Sequence, residues 1–280
     1  MKFVFFGYDF MVPAVRRLIA DGHELIGIMS FPCDNLFNFN VQTLALAEER
    51  VIPCVFDKPK GQHIEEFLDK GAEVFLSAGY PHKIPPVPED RAYAINFHPS
   101  LLPKGRGIMP SPYIIMDHPE ASGFTVHKTT DKFDGGDILY QEALPLNPRE
   151  SVETLSTRIA MKAPDVLSRI MGDLKNYWDS AKLQDESKAL HFPSPPEEMR
   201  LLDFAGPVER IDKTARAFGR FGSLARIQGK IFAVFQCETW SEAHDFEPST
   251  VACVTSREIT IACKDGFACL KEFQELPPAV

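Results

Sequence analysis

The first eighty residues leave few architectures open. Three short apolar runs, Lys2 to Phe6, Leu25 to Met29 and Val74 to Leu76, read as buried strands. Between them lie stretches with apolar residues at helical spacing: Pro13 to Ala20 closed by Asp21-Gly22, Val41 to Arg50, and Ile64 to Lys70 closed by Gly71. Val51 to Val55 reads as one more strand. Strands alternating with helices need crossover connections, and these predict a mostly parallel, doubly wound α/β sheet. The first turn, Gly7-Tyr8-Asp9-Phe10, lacks the Gly-x-Gly-x-x-Gly of dinucleotide sites, which argues against a dinucleotide-dependent oxidoreductase. Gly7 there suits a tight turn beside a ligand pocket.

Beyond Asn96 the pattern changes. Phe124 to Thr129 and Ile138 to Leu144 read as strands, and Ser151 to Met171 as a helix with Ser151 as N-cap. A polar stretch with the proline-rich Phe192-Pro193-Ser194-Pro195-Pro196 reads as a linker. Short β runs follow at 224–227, 231–235, 251–254, 259–262 and 269–273, bounded by turn residues, as in a small β-barrel or sandwich. The expected organisation is a domain over 1–172, a linker over 173–203 and a second domain over 204–280. Apolar residues at 44% can fill such cores. No run approaches the roughly 20 apolar residues of a membrane span, and the start of the chain does not read as a signal peptide. None of the six cysteines forms a Cys-x-x-Cys pair, so no metal is expected. These features together predict a soluble, cytoplasmic protein with no membrane partner.

The stretch Ile95-Asn96-Phe97-His98-Pro99-Ser100-Leu101-Leu102-Pro103-Lys104-Gly105-Arg106-Gly107 begins as a buried strand and breaks into a loop. Asn96 and His98 are two apart, so both project from one face of the strand. A carboxamide beside an imidazole can hold a carbonyl and manage a proton, as acyl transfer requires. Downstream, Phe133-Asp134-Gly135-Gly136-Asp137 supplies a carboxylate on a loop whose glycines allow close backbone approach. Asp134 is expected to orient His98 and raise its pKa. Ser100 has no Gly-x-Ser-x-Gly elbow, so it reads as a turn-forming or ligand-bonding residue. Arg106 serves either an anionic substrate or loop solvation. His127 and Asp137 read as support for the site or the strand.

Asn-x-His-x-Ser-Leu-Leu-Pro, followed 38 residues after the asparagine by the Asp134 loop, resembles the 10-formyltetrahydrofolate-dependent formyltransferases. That family includes methionyl-tRNA, glycinamide ribonucleotide and amino-sugar formyltransferases. The resemblance implies a Rossmann-like catalytic domain with Asn96, His98 and Asp134 as catalytic trio. It also implies a smaller C-terminal β-barrel (OB-like) domain from about Leu202. The formyl donor it implies is 10-formyltetrahydrofolate, with expected contacts at Tyr80, His82, Lys83, Ile84, Ser100, Leu101, Lys132 and Phe133. Gly7, Tyr8, Arg106 and Gly107 are expected to contact the acceptor.

The acceptor is narrowed by charge. Net charge is −9, and residues 30–38, where tRNA-type members carry an extra basic loop, hold no Lys or Arg. Phosphate-backbone binding depends on such residues. A small-molecule amine, on a nucleotide-linked amino sugar or a modified amino acid, is the expected acceptor, with tRNA the alternative. The aromatics Phe31, Phe37 and Phe39 serve either an acceptor pocket or the core. A formyltetrahydrofolate hydrolase is disfavoured because that type carries a further N-terminal domain, and a non-catalytic folate binder because the trio is intact. The second domain either holds a ligand of its own or mediates a homodimer.

Overall fold

The computed structural model describes residues 1–34 and 38–277. Phe37 and the centre of the 30–38 segment therefore lie outside the described residues. The chain forms two compact units: Met1–Pro110, Glu120–Pro145 and Ser156–Pro193 make the first, and Ser111–Pro119, Leu146–Leu155 and Ser194–Val280 the second.

In chain order the elements up to Pro193 are β1 (Lys2–Gly7), α1 (Val12–Ala20), β2 (Glu24–Met29), α2 (Val41–Arg50), β3 (Cys54–Val55), α3 (Gly61–Asp69), β4 (Val74–Ala78), β5 (Tyr93–His98), β6 (Lys104–Arg106), α4 (Pro110–Met116), β7 (Gly123–Lys128), β8 (Ile138–Ala143), α5 (Val152–Gly172), α6 (Leu174–Asp179) and β9 (Leu190–His191). A seven-stranded sheet runs β3-β2-β1-β4-β5-β7-β8. The first five strands in that order are parallel, and β7 and β8 close one edge antiparallel. The mostly parallel, Rossmann-like sheet is the one the alternation predicts.

Packing explains the residues chosen. Phe3 to Phe6 of β1 are all fully buried, as in a strand covered on both faces. Phe97 and Phe124, on neighbouring β5 and β7, stack with centroids 4.9 Å apart and planes 15° apart. Gly27 is required because a Cβ there would sit 2.3 Å from the Phe67 ring of α3. Phe31 packs on the core formed by Val4, Phe6, Met29 and Phe75, while Phe39 is partly exposed.

Two stretches depart from the sequence reading. Val51 does not open a strand. It caps α2 in the left-handed conformation (φ 53°), and pairing starts only at Cys54. The polar stretch after 172 is not extended linker up to Pro193. It carries α6, a 3-10 turn at Glu186–Lys188 and β9, which pairs in parallel with β6. Its polarity misleads because Gln184 and Glu186 face a buried arginine rather than water alone.

The second unit contains α7 (Glu197–Arg200), α8 (Val208–Phe218) and the strands β10 (Ser223–Ile227), β11 (Lys230–Ser241), β12 (Val251–Val254), β13 (Ile259–Cys263) and β14 (Gly266–Glu275). They form an antiparallel sheet of order β10-β11-β14-β13-β12. Leu202, Phe204, Val208 and Ile211 pack on Ala225, Phe232, Val234, Ile261 and Leu270. Among the described residues no pairing joins β10 to β12, so the expected barrel is seen as an antiparallel sheet with α8 on its core face. No helix among the described residues is long and apolar enough to cross a membrane.

Removing a stacked core ring should be costly. Phe97→Ala is expected to destabilise the first unit by about 3–5 kcal/mol, read as a lower urea midpoint with unchanged slope. A loss under about 1 kcal/mol would show that β5 and β7 do not depend on this pair.

Candidate active site

β5 presents Asn96 and His98 on one face, and β7 completes their surroundings. The antiparallel register sets His127 opposite Asn96 and Thr125 opposite His98. Beyond β5 the chain turns through Ser100 to Pro103, and Thr125 pins that turn. Its Oγ1 donates to Ser100 O at 2.6 Å and accepts from Leu102 N at 3.0 Å. Gln141 Nε2 donates to Leu102 O at 2.6 Å. The next residues, Gly105 to Gly107, are thereby brought alongside the site. Gly107 must be glycine: its φ is +129° and a Cβ would meet Phe192 O at 2.0 Å.

The loop bearing Asp134 leaves β7 beside Ala94, whose carbonyl accepts from Thr129 N at 2.8 Å. It then doubles back over the sheet until Asp134 Oδ2 accepts from Gly107 N at 2.9 Å. Asp134 Oδ1 lies 3.6 Å from His98 Nδ1 and 3.7 Å from His127 Nε2. Asn96 Nδ2 stands 3.5 Å from the same oxygen. The three residues expected to form the trio are therefore in one place, with His98 5% and Asp134 7% exposed.

Partners fix the protons. His98 Nε2 is 2.8 Å from Gly105 O, which can only accept, so Nε2 carries the hydrogen and donates. Nδ1 is left as the lone-pair nitrogen toward Asp134. His127 Nδ1 likewise donates to Lys128 O at 2.8 Å, so its Nε2 accepts from Asn96 Nδ2 at 3.0 Å. That orients the Asn96 carboxamide. One of its N–H groups is committed to His127, while the other is held only by the long contact to Asp134.

Electrostatics follow from this geometry. Burial alone would raise the Asp134 carboxyl, but His98, His127 and the Gly107 amide outweigh it and hold the group down to about 2. Burial pushes the His98 imidazole below its ordinary 6.5 and overrides the upward pull of Asp134 and the Gly105 carbonyl. This corrects the expectation that Asp134 sets a raised His98 pKa: in a nearly dry site desolvation is the larger effect. Near neutral pH the pair is a carboxylate beside a neutral imidazole. His98 Nδ1 can accept a proton, and Asp134 then faces the resulting cation. The loosely held Asn96 N–H can turn toward a developing oxyanion. The arrangement suits attack of an amine on an acyl carbon.

A cleft partly open to solvent adjoins these groups. Its walls include Asn96, His127 and Asp134 together with Ser77, Tyr80, His82, Lys83, Ile84, Thr129, Thr130, Lys132 and Phe133. Both segments expected to hold a carrier, 80–84 and 132–134, thus line one cleft. Tyr80 Oη and Thr129 Oγ1 in its wall are buried without a hydrogen-bond partner among the described residues. Such atoms are uncommon, and a polar ligand would satisfy them. Among the described residues no group of three or more His, Cys, Asp or Glu could hold a metal ion.

The other expected residues lie outside this lining. Ser100 Oγ donates to Lys104 O at 2.8 Å and Gly105 O at 3.1 Å, so it shapes the turn that supports His98. Leu101 N donates to Ala121 O at 2.9 Å. Gly7 packs against Ala78 O, 2.7 Å from where a Cβ would stand, and Tyr8 packs on Phe10 and Phe31. Arg106 is fully buried, and its guanidinium donates to Gln184 and Glu186. Gly107 serves Asp134. His127, which the sequence suggests as support for the site or the strand, lies on the site's face through the register of β7, and its ring orients Asn96. The Gly105 carbonyl and the Gln184 side chain carry no signal in sequence.

Several known proteins are similar to this chain. A family profile described as "Formyl transferase" matches residues 55–171, and one described as "Formyl transferase, C-terminal domain" matches 196–276. The methionyl-tRNA formyltransferase of Bacillus velezensis is 27% identical over 290 aligned positions, covering 99% of this chain and 90% of that one. HypX from Aquifex aeolicus, solved in complex with tetrahydrofolic acid, shares the fold with a TM-score of 0.72 and 18% identity. The match covers 99% of this chain but only 44% of HypX. An N-formyltransferase from Helicobacter canadensis, solved with folinic acid and dTDP-3-aminofucose, has a TM-score of 0.66 at 16% identity and covers 99% and 100%.

The depressed Asp134 carboxyl predicts an acid-side stability term. It is present in full above the unfolded-state value near 3.8 and is lost as pH falls through about 2. The wild type should lose on the order of 2 kcal/mol over that window relative to Asp134→Asn, read by urea unfolding at stepped pH. Parallel pH profiles of the two proteins would contradict a depressed Asp134 carboxyl.

Proposed function

The chain belongs to the formyl transferase family, and on that premise we propose that it moves a formyl group from 10-formyltetrahydrofolate to the amine of a small molecule. The observation that carries this reading is the neutral His98 Nδ1 behind the Asp134 carboxylate, which with Asn96 lines a cleft with unsatisfied polar atoms. When bound, the carrier supplies the formyl group for transfer. Tyr80, His82, Lys83, Ile84, Lys132 and Phe133 line the space suited to its ring system, with Tyr80 Oη and Thr129 Oγ1 as polar contacts.

The protein's residues divide the work. Asn96 offers its second N–H to the carbonyl oxygen as charge develops on it. His98 Nδ1 takes the proton released from the attacking nitrogen and returns it to the carrier's nitrogen as that nitrogen's bond to the formyl carbon breaks. Asp134 stabilises the imidazolium so formed, through a separation of 3.6 Å. Because His98 starts neutral near pH 7, it is ready to act as a base without first losing a proton.

A small acceptor is supported by the net charge of −9 and by the absence of Lys and Arg from residues 30–38. The fold likeness to the Helicobacter enzyme, solved with a nucleotide-linked amino sugar, points the same way. A second reading, transfer to methionyl-tRNA, is favoured by the full-length likeness to the Bacillus protein. The two predict different products.

The test incubates the protein with 10-formyltetrahydrofolate and separate acceptors: nucleotide-linked amino sugars, amino acids including hydroxylated ones, and methionyl-tRNA. Products are read by mass spectrometry. A formylated small amine is expected, with Asn96→Ala and His98→Ala each slower by about 100- to 1,000-fold. The acid limb of kcat/KM should fall below pH 6.5, because burial lowers His98. Formyl-methionyl-tRNA as sole product would establish the second reading, and formate released without acceptor would displace both.

A further inference from the structure

Three consecutive residues after the β5 turn each address a different part of the site. Gly105 O accepts from His98, and Gly107 N donates to Asp134. Between them, Arg106 points its buried guanidinium at Gln184, with Nη2 at 2.6 Å and Nε at 3.1 Å from Oε1. Arginine has only donors, so the Gln184 atom facing it must be the oxygen. That leaves Nε2 on the far side, where it donates to Asp134 O at 2.8 Å and Gly136 O at 2.7 Å.

We infer that Gln184, held by Arg106, is a positioning residue for formyl transfer: it clamps the backbone of the Asp134 loop and thereby sets the carboxylate against His98. The inference rests on His98 and Asp134 being the reacting pair. Asp134 adopts φ +50°, the left-handed conformation that favours glycine and that aspartate takes up with help from local hydrogen bonds. The carboxylate's own bond to Gly107 fixes one side of the residue. Gln184 fixes its carbonyl and the carbonyl two residues on. Glu186 supports the clamp from behind, accepting from Arg106 at 2.8 Å and from Lys132 at 2.5 Å. Gln184 touches no reacting atom. Its effect passes through the loop.

Gln184→Ala and Gln184→Glu separate positioning from mere pairing with Arg106. Glutamate still accepts from the guanidinium but has no N–H for the two loop carbonyls. Two quantities are read: the titration midpoint of His98 in 15N-imidazole spectra, and the kcat and KM of formyl transfer. Tetrahydrofolate affinity and thermal stability serve as controls. Both variants are expected to lower the His98 midpoint by about half a unit or more, in the direction of Asp134→Asn, because the carboxylate's upward pull weakens. Both should lower kcat by about 10- to 100-fold, with tetrahydrofolate affinity nearly unchanged. If Gln184→Glu matches the wild type in midpoint and kcat, Gln184 is only a partner for Arg106 and the inference falls. If the wild type transfers no formyl group to any acceptor, the proposed function falls instead, and the His98 midpoint alone decides whether Gln184 sets the carboxylate.

Discussion

The hydrogen bond from His98 Nε2 to the Gly105 carbonyl governs the chemistry of this site. It decides which ring nitrogen carries the proton, and so which one is free. Everything around the site can be viewed as serving that choice. The Thr125 and Ser100 hydroxyls shape the turn that delivers the carbonyl. The Asp134 loop brings a charge to the opposite nitrogen, where it matters only once a proton arrives. A neutral base beside a permanent anion, both away from water, is a poised arrangement: reaction creates an ion pair where previously there was a lone charge.

The mixed sheet is what makes the arrangement possible. A purely parallel sheet would have carried the chain away from β5 by another crossover. Instead β7 and β8 add as an antiparallel edge, which sets His127 directly opposite Asn96. The same reversal lets the 129–137 loop fold back over the β5 face. Two imidazoles, one carboxamide and one carboxylate are thus gathered from strands adjacent in the sheet and one loop. Each of the two rings donates one N–H to a backbone carbonyl, so the backbone sets the tautomers and no further side chain is needed.

Much of this was legible in the sequence, and the reasons differ by feature. The parallel sheet follows from alternation of apolar runs and helical spacing, because each strand buried on both faces must be apolar throughout. Asn96 and His98 follow from the strand period, and Asp134 from its glycine-bearing loop and the family resemblance. Arg106 did not behave as its charge suggested. Nothing local distinguishes a guanidinium aimed at substrate from one buried against Gln184, 78 residues later. The direction of the His98 shift is not legible either, because desolvation depends on tertiary burial, which spacing does not encode. The stretch after Gly172 read as linker for the same reason: its polar side chains have buried partners that composition hides.

The burial of Arg106 sets a limit on how this molecule can be divided. Its acceptors, Gln184 and Glu186, lie past the long helix that ends at Gly172. A fragment cut at that helix would retain the whole trio and all seven strands of its sheet. It would also strip Arg106 of both side-chain acceptors and of β9, which pairs with the strand that carries it, so a charge built for burial would lose its partners and its cover together. The smallest self-sufficient piece is therefore longer than the piece that holds the chemistry. Grafting or trimming this scaffold has to follow the arginine's partners rather than the outline of the sheet.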